Sequence, residues 1–224
     1  METVQAVPVR TKMMPEIADL FHMMYYGSED SPLMTGTFWQ GVPLWKNPMD
    51  MWMYQEIIHR NKPDYIIETG TYKGGSAAFM ADMCYLVGKG KVISIDIADR
   101  VEGEAKRFNI QYIVEDSSKA YIANHLSQQF ALKDKIMVVL DSNHTKEHVL
   151  KELDLYAPFV SKGQYLIVED TNVGRQVAPL DSGPGPYEAL QEWLPKHPEF
   201  KVDKTCEKFG LTFNPDGFLK RSFE

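Results

Sequence analysis

From Asp64 to about residue 170, apolar runs of five or six residues alternate with stretches whose apolar positions recur every three or four. The runs predict strands over 65–69, 91–97, 110–115, 135–141 and 164–169. The periodic stretches predict helices over 77–87, 102–108, 119–128 and 146–156. Alternation of this kind argues for a mostly parallel sheet with helices on both faces, because parallel neighbours need crossover connections. After Asp181-Ser182-Gly183-Pro184-Gly185-Pro186 comes one more helix, about 187–195, and then two strands near 200–207 and 211–220 with no helix between them. Such a pair closes antiparallel.

Upstream of this rhythm, Pro15 opens a segment with Ile17, Leu20, Phe21 and Met24 at helical spacing and Gly27 as its stop. That amphipathic helix packs on the body or a neighbouring subunit, or forms a flap over a substrate pocket. Trp39, Pro43 and Trp45 mark 28–46 as a packed connection. Asn47-Pro48 then reads as an N-cap and first helical position, for a helix through Met49, Trp52, Met53 and Ile57 that ends before Pro63. The expected division is an N-terminal helical extension, 1–62, serving as cap or oligomer contact, and one α/β domain, 63–224.

Chemistry enters where the first strand, Tyr65-Ile66-Ile67-Glu68-Thr69, breaks into Gly70-Thr71-Tyr72-Lys73-Gly74-Gly75-Ser76 ahead of a helix. Glycines in that turn let the backbone approach a ligand, and the helix N-terminus follows, which is how α/β folds seat an adenosine-containing cofactor. The spacing is not the GxGxxG of dinucleotide folds, and an antiparallel ending stands where a second mononucleotide half would be. Both features favour S-adenosylmethionine over NAD. The candidate cofactor residues in the turn are Glu68, Gly70, Thr71, Tyr72, Gly74 and Ser76. Asp96 ends the second strand, where a carboxylate accepts two hydrogen bonds from a ribose diol. Asp116 and Ser117 follow the third, where an adenine amino group would lie, and Asp141 ends the fourth.

The strongest signal lies in Val138-Val139-Leu140-Asp141-Ser142-Asn143-His144 and Tyr165-Leu166-Ile167-Val168-Glu169-Asp170-Thr171. Each run places acids at the carboxyl end of an apolar strand, the edge where open α/β sheets bind ligands. If the two strands are neighbours, Asp141, Glu169 and Asp170 converge and repel one another unless a cation compensates. A hard divalent ion such as Mg²⁺ fits oxygen donors. Adjacent strand residues point to opposite faces, so Glu169 and Asp170 can share an ion only if the strand ends and bends there. His144, three residues past Asp141, titrates near neutrality and is placed to take the proton of an acceptor hydroxyl. The plain alternative for each acid is a carboxylate capping its loop.

Composition narrows the partners. A net charge of −7 and a pI near 5.4 lack the basic footprint of a nucleic-acid binder. There is neither an apolar run long enough to span a membrane nor a charged-then-apolar leader, so a soluble chain is expected. Cys84 and Cys206, with no CxxC, read as reduced core thiols of a cytoplasmic protein.

The chain also resembles the cephalosporin hydroxylase family, whose members are mostly methyltransferases despite the name, and is similar to the related rhamnosyl and macrolide-sugar O-methyltransferases. The resemblance runs from about Trp39 to Arg221. It passes through Gly41-Val42-Pro43, Trp52-x-Tyr54-Gln55-Glu56, Glu68-Thr69-Gly70, Gly74-Gly75-Ser76, Asp141-Ser142-Asn143-His144, Glu169-Asp170-Thr171, Gly183-Pro184-Gly185-Pro186 and Phe218-Leu219-Lys220-Arg221. It implies a Rossmann-like class I methyltransferase fold with a seven-stranded sheet. It further implies S-adenosylmethionine bound around Glu68, Gly70, Ser76 and Asp96, Mg²⁺ held by Asp141, Glu169 and Asp170, and His144 as general base. The expected function is Mg²⁺-dependent methyl transfer to a hydroxyl of a sugar, glycosylated natural product or other small molecule, in a homo-oligomer. Two alternatives remain: an oxidoreductase, taking the hydroxylase label literally, and a non-catalytic nucleotide-binding protein. A third carboxylate in place of histidines counts against a two-histidine iron site. The short region before Trp39 and the brief 171–186 segment leave the acceptor open; Arg175 there is either a solvated loop residue or a contact for an anionic acceptor.

Overall fold

The computed structural model describes residues 14–26, 32–101, 103–173 and 183–222. Helix α1 (Met14–Tyr26), a single turn α2 (Pro32–Thr35), a two-residue hairpin of β1 (Phe38–Trp39) and β2 (Val42–Pro43), and helix α3 (Pro48–Asn61) precede the main unit. There follow β3 (Tyr65–Thr69), α4 (Gly75–Leu86), β4 (Lys91–Asp96), β5 (Ile110–Val114), α5 (Ala120–Ser127), β6 (Ile136–Leu140), α6 (Lys146–Tyr156), β7 (Tyr165–Val168), α7 (Pro186–Trp193), β8 (Phe200–Val202) and β9 (Phe218–Arg221). The strands form one seven-stranded sheet ordered β5-β4-β3-β6-β7-β9-β8, in which β9 runs antiparallel to both neighbours and the other pairings are parallel. This is the Rossmann-like, doubly wound arrangement expected, closed by an antiparallel pair.

Alternate residues of each central strand enter different cores, as the strand period of two demands. Ile67, Val138 and Leu166 join Leu126, Leu153 and Trp193 of α5, α6 and α7 on one face. Ile66, Val139 and Ile167 join Tyr54 and Ile57 of α3 and Met80 of α4 on the other. With both faces covered, the strands are apolar throughout rather than alternating. Helix α3 starts as expected: the Asn47 side chain accepts from the Met49 amide at 3.1 Å, with Pro48 at the first position.

Two expectations fail. The stretch 102–108 forms only a 3₁₀ turn, Gly103–Ala105, because Ala105 alone of its apolar residues is buried while Phe108 is 87% exposed. A stripe that short cannot hold a helix to the sheet. The strand expected over 200–207 stops at Val202, since Asp203 accepts from the Thr205 amide and opens a 3₁₀ turn, Lys204–Glu207. Its partner begins only at Phe218. Gly27, Arg175, Asp181 and Ser182 lie outside the described residues. Among the described residues, no helix is long and apolar enough to cross a membrane, and Cys84 and Cys206 are both free and buried.

Candidate active site

The turn after β3 is shaped by close approach. Gly70 has φ +87°, and a Cβ there would lie 1.8 Å from the Asp141 carbonyl oxygen, so only glycine lets β3 and β6 end side by side. The Asp96 carboxylate accepts from the Tyr72 amide at 2.8 Å and the Ala98 amide at 3.1 Å, which ties the turn to the end of β4. Trp45 and Tyr72 pack ring against ring, tilted by 31° with centroids 4.5 Å apart. Both residues, with Asp170, have positive φ, making three of the six described non-glycine residues in that region. Backbone strain is thus concentrated around one cavity of about 560 Å³.

Gly70, Thr71, Tyr72, Ser76, Asp96, Asp116, Ser117, Asp141, His144 and Asp170 all line that cavity. Glu68 and Gly74 do not. Glu68 is fully buried and accepts hydrogen bonds from the Ser76 hydroxyl at 2.5 Å and the Ser94 hydroxyl at 2.6 Å, so it braces the turn from behind. Burial pushes its carboxyl up to about 7, against the pull of Lys46 and the two serines. Gly74, at φ +90°, caps α4 and faces Ala105 and Tyr112. The Ser118 hydroxyl and amide donate to Asp116 and hold its carboxyl below the usual range. The Ser117 hydroxyl turns inward to Glu152 at 2.6 Å.

At the far end of the cavity β6 and β7 are hydrogen-bonded neighbours, and β7 ends at Val168. Asp170 then takes φ +54°, its amide donating to the Asn214 side chain at 2.9 Å. The strand thus ends and bends between Val168 and Asp170. His144 Nε2 lies 3.3 Å from both Asp141 Oδ1 and Asp170 Oδ2. Among the described residues, Asp141, His144 and Asp170 each offer a ligand atom within 4.8 Å of the others. Glu169 is not one of that trio and meets Asp141 across Lys46 instead. Its Oε2 takes the Lys46 ammonium at 2.6 Å, and its Oε1 accepts from the Tyr54 hydroxyl. The same ammonium reaches Asp141 Oδ2 at 2.5 Å. Burial opposes ionisation of Asp141, but Lys46 and His144 together hold its carboxyl below the usual range. For His144, burial would lower the imidazole, yet its bond to Asp141 and the charge of Asp170 win and raise it to about 9.

Comparison with known proteins adds a second line of evidence. The family model described as rhamnosyl O-methyltransferase/CmcI matches residues 32–222. The rhamnosyl O-methyltransferase of Mycobacterium tuberculosis is 37% identical over 213 residues, which cover 92% of this chain and 85% of that protein. This chain belongs to the rhamnosyl O-methyltransferase/CmcI family. The Mycobacterium leprae protein of the same description is likewise 37% identical over 211 residues, 92% of this chain and 90% of that protein. CmcI solved with Mg and SAM superposes with a TM-score of 0.66 at 22% identity, covering 87% of this chain and 79% of that one, and so shares the fold.

Within this family member, Lys46 and Tyr54 are the site residues that sequence reasoning did not assign a role. The available signal was a single cation, Lys46, set between Leu44-Trp45 and a capped helix start in an otherwise apolar stretch. Asp50 likewise has a role that its sequence neighbours do not signal. It is buried, accepts from the Thr212 hydroxyl at 2.6 Å and the Phe213 amide at 2.9 Å, and so joins α3 to the loop that carries Asn214. Burial pushes its carboxyl from 3.8 to about 7, outweighing those two bonds. Asp50 and Glu68 therefore keep protons to about pH 7 that the unfolded chain loses near 4, so the folded state binds more protons in that window. Their contribution to stability is complete below about pH 4 and lost as pH rises through 7. Urea midpoints measured from pH 5 to 8 are expected to decline on this account, and Asp50→Asn to flatten the decline; an unchanged slope in the variant would contradict the assignment.

Proposed function

We propose that this chain transfers a methyl group from S-adenosylmethionine to a hydroxyl of a sugar or glycosylated small molecule, with a divalent cation, Mg²⁺ by preference, at its acid cluster. The observation that carries this reading is that the glycine turn with Asp96 and Asp116, and the cluster of Asp141, His144 and Asp170, line one cavity. In that reading Gly70, Thr71, Tyr72, Ser76, Asp96, Asp116, Ser117 and the backbone of Asp141 hold the cofactor, with Glu68 and Gly74 shaping the turn from behind. The donor set suits a hard cation, being carboxylates that crowd one another and need charge compensation. Asp141, Glu169 and Asp170 would hold that ion, leaving His144 as base. When bound, the cofactor would supply an electrophilic methyl group and the ion compensating charge at Asp141 and Asp170, the acids that otherwise keep a proton on His144.

The chain's own part is position and proton management. With the cofactor and acceptor bound, the acceptor oxygen would bond to the methyl carbon as the carbon–sulfur bond broke, a thioether would leave, and His144 Nε2 would take the hydroxyl proton. Tyr25, Leu44 and Trp45 from the N-terminal extension line the same cavity. That extension, 1–62, serves as its cover and 63–224 as the catalytic domain, in a cytoplasmic homo-oligomer closed over the apolar outer face of α1, where Leu20 and Met24 are exposed. The M. tuberculosis and M. leprae relatives are named for rhamnosyl acceptors, and a vicinal diol can chelate one cation. Rhamnosides and other diol-bearing glycosides are therefore expected to be methylated well ahead of their monodeoxy analogues. Equal rates on acceptors with and without the neighbouring hydroxyl, followed by mass spectrometry, would contradict the sugar-diol reading.

A further inference from the structure

Asp141 faces two cation positions. Its Oδ1 looks toward His144 and Asp170, while its Oδ2 and Glu169 Oε2 share the Lys46 ammonium at 2.5 and 2.6 Å. Lys46 is 4% exposed and Glu169 5%, so neither group is met by bulk water. Glu169 is engaged on both oxygens, by Lys46 and Tyr54. A divalent ion held by Asp141, Glu169 and Asp170 would compete with this ammonium for Asp141 Oδ2 and Glu169 Oε2.

We propose that Lys46 is a resident, exchangeable counter-cation of the acid cluster: its ammonium pairs Asp141 with Glu169 in the metal-free protein and withdraws from Glu169 as a divalent cation enters. The inference rests on the metal-binding part of the proposed function. Two buried carboxylates brought together without a cation are strongly destabilising, so the metal-free chain needs a charge partner at this position. Lysine suits a partner that must leave. Its ammonium is a compact point charge on a flexible four-carbon stem, whereas an arginine fork would lock both carboxylates in a fixed geometry. Lys46 sits in the connection between β2 and α3 rather than inside a helix or strand, so its stem can move without breaking a ladder. As a positioning residue it acts through the two acids. The divalent ion must compete with it for them.

The test uses Mn²⁺ alone as a spin probe on metal-free wild type, Lys46→Met and Lys46→Arg, with free Mn²⁺ read by electron paramagnetic resonance. Removing the ammonium frees two carboxylate oxygens and a competing charge, so Lys46→Met is expected to bind Mn²⁺ about tenfold tighter or more. Its melting temperature should fall below wild type in chelator and recover in Mg²⁺; Lys46→Arg should bind Mn²⁺ no better than wild type. Should Lys46→Met not fold without metal, the wild type decides: in Mn²⁺-loaded crystals, Nζ should stand beyond hydrogen-bonding reach of Glu169 Oε2. Wild-type binding of Mn²⁺ with unchanged affinity in Lys46→Met, or with the Lys46–Glu169 contact intact, overturns the exchange and leaves the metal reading standing. No Mn²⁺ binding by any of the three proteins removes both.

Discussion

Asp141→Asn should cost about 10²–10³-fold in turnover, the scale seen when one group that stabilises developing charge is lost. Asp141 is the residue on which both cations of the cluster converge: Lys46 at 2.5 Å on one oxygen, His144 at 3.3 Å on the other. Asparagine keeps the shape and offers one oxygen, but it turns an amide N–H toward either an ammonium or an imidazole. It also removes charge from the site that should hold the divalent ion. The backbone of residue 141 stays where it is, because its amide donates to the Thr69 carbonyl at 3.0 Å whatever the side chain. Affinity for S-adenosylmethionine should therefore change little while turnover collapses. Undiminished turnover would remove the acid cluster from the mechanism.

Gly70→Ala should damage both halves of the site at once. The added methyl would meet the Asp141 carbonyl oxygen at 1.8 Å, its carbon at 2.5 Å and Ser142 Cα at 3.0 Å. All three atoms are backbone, so no side chain can swing aside. The φ of +87° adds about 1–2 kcal/mol of left-handed strain, and overpacking typically adds about 1–3 kcal/mol more. To relieve the clash, the ends of β3 and β6 must part, which moves the cofactor turn and the acid strand together. Gly88→Ala is the control, since Gly88 has φ +82° with nothing within 4 Å of an added Cβ and so reports strain alone. Urea unfolding should place Gly70→Ala below Gly88→Ala, and calorimetry should find S-adenosylmethionine binding lost only in the former. A Gly70→Ala protein that binds the cofactor as wild type does would overturn the close-approach argument.

What the sequence made legible follows from locality. Ile136–Leu140 is buried at every position because both sheet faces are covered, and an unbroken apolar run announces that directly. Acids at strand ends, from Asp96 to Asp170, are visible because the strand pattern itself says where each run stops. The antiparallel close of β8 and β9 follows from the missing crossover, although their connection is a 3₁₀ turn and a long loop rather than a tight hairpin. Lys46 was not legible in this way. Its partners lie 95 and 123 positions away, and no periodicity links a lysine in a loop to two strand ends. The inward turn of Glu68 was hidden for a similar reason, since it depends on Ser94 of the neighbouring strand. Asp50 stands in the first turn of α3, where an acid needs no distant partner, and only the returning loop with Thr212 and Phe213 gives it buried ones.

The central claim is that the cavity between Gly70 and the acid cluster is built for S-adenosylmethionine. Calorimetric titration of the wild-type chain with S-adenosylmethionine, and separately with NADH, tests it most directly. The account predicts one S-adenosylmethionine per chain, retained in Asp141→Asn and lost in Gly70→Ala, with no heat from NADH. No binding of S-adenosylmethionine, or binding of NADH in its place, would contradict it.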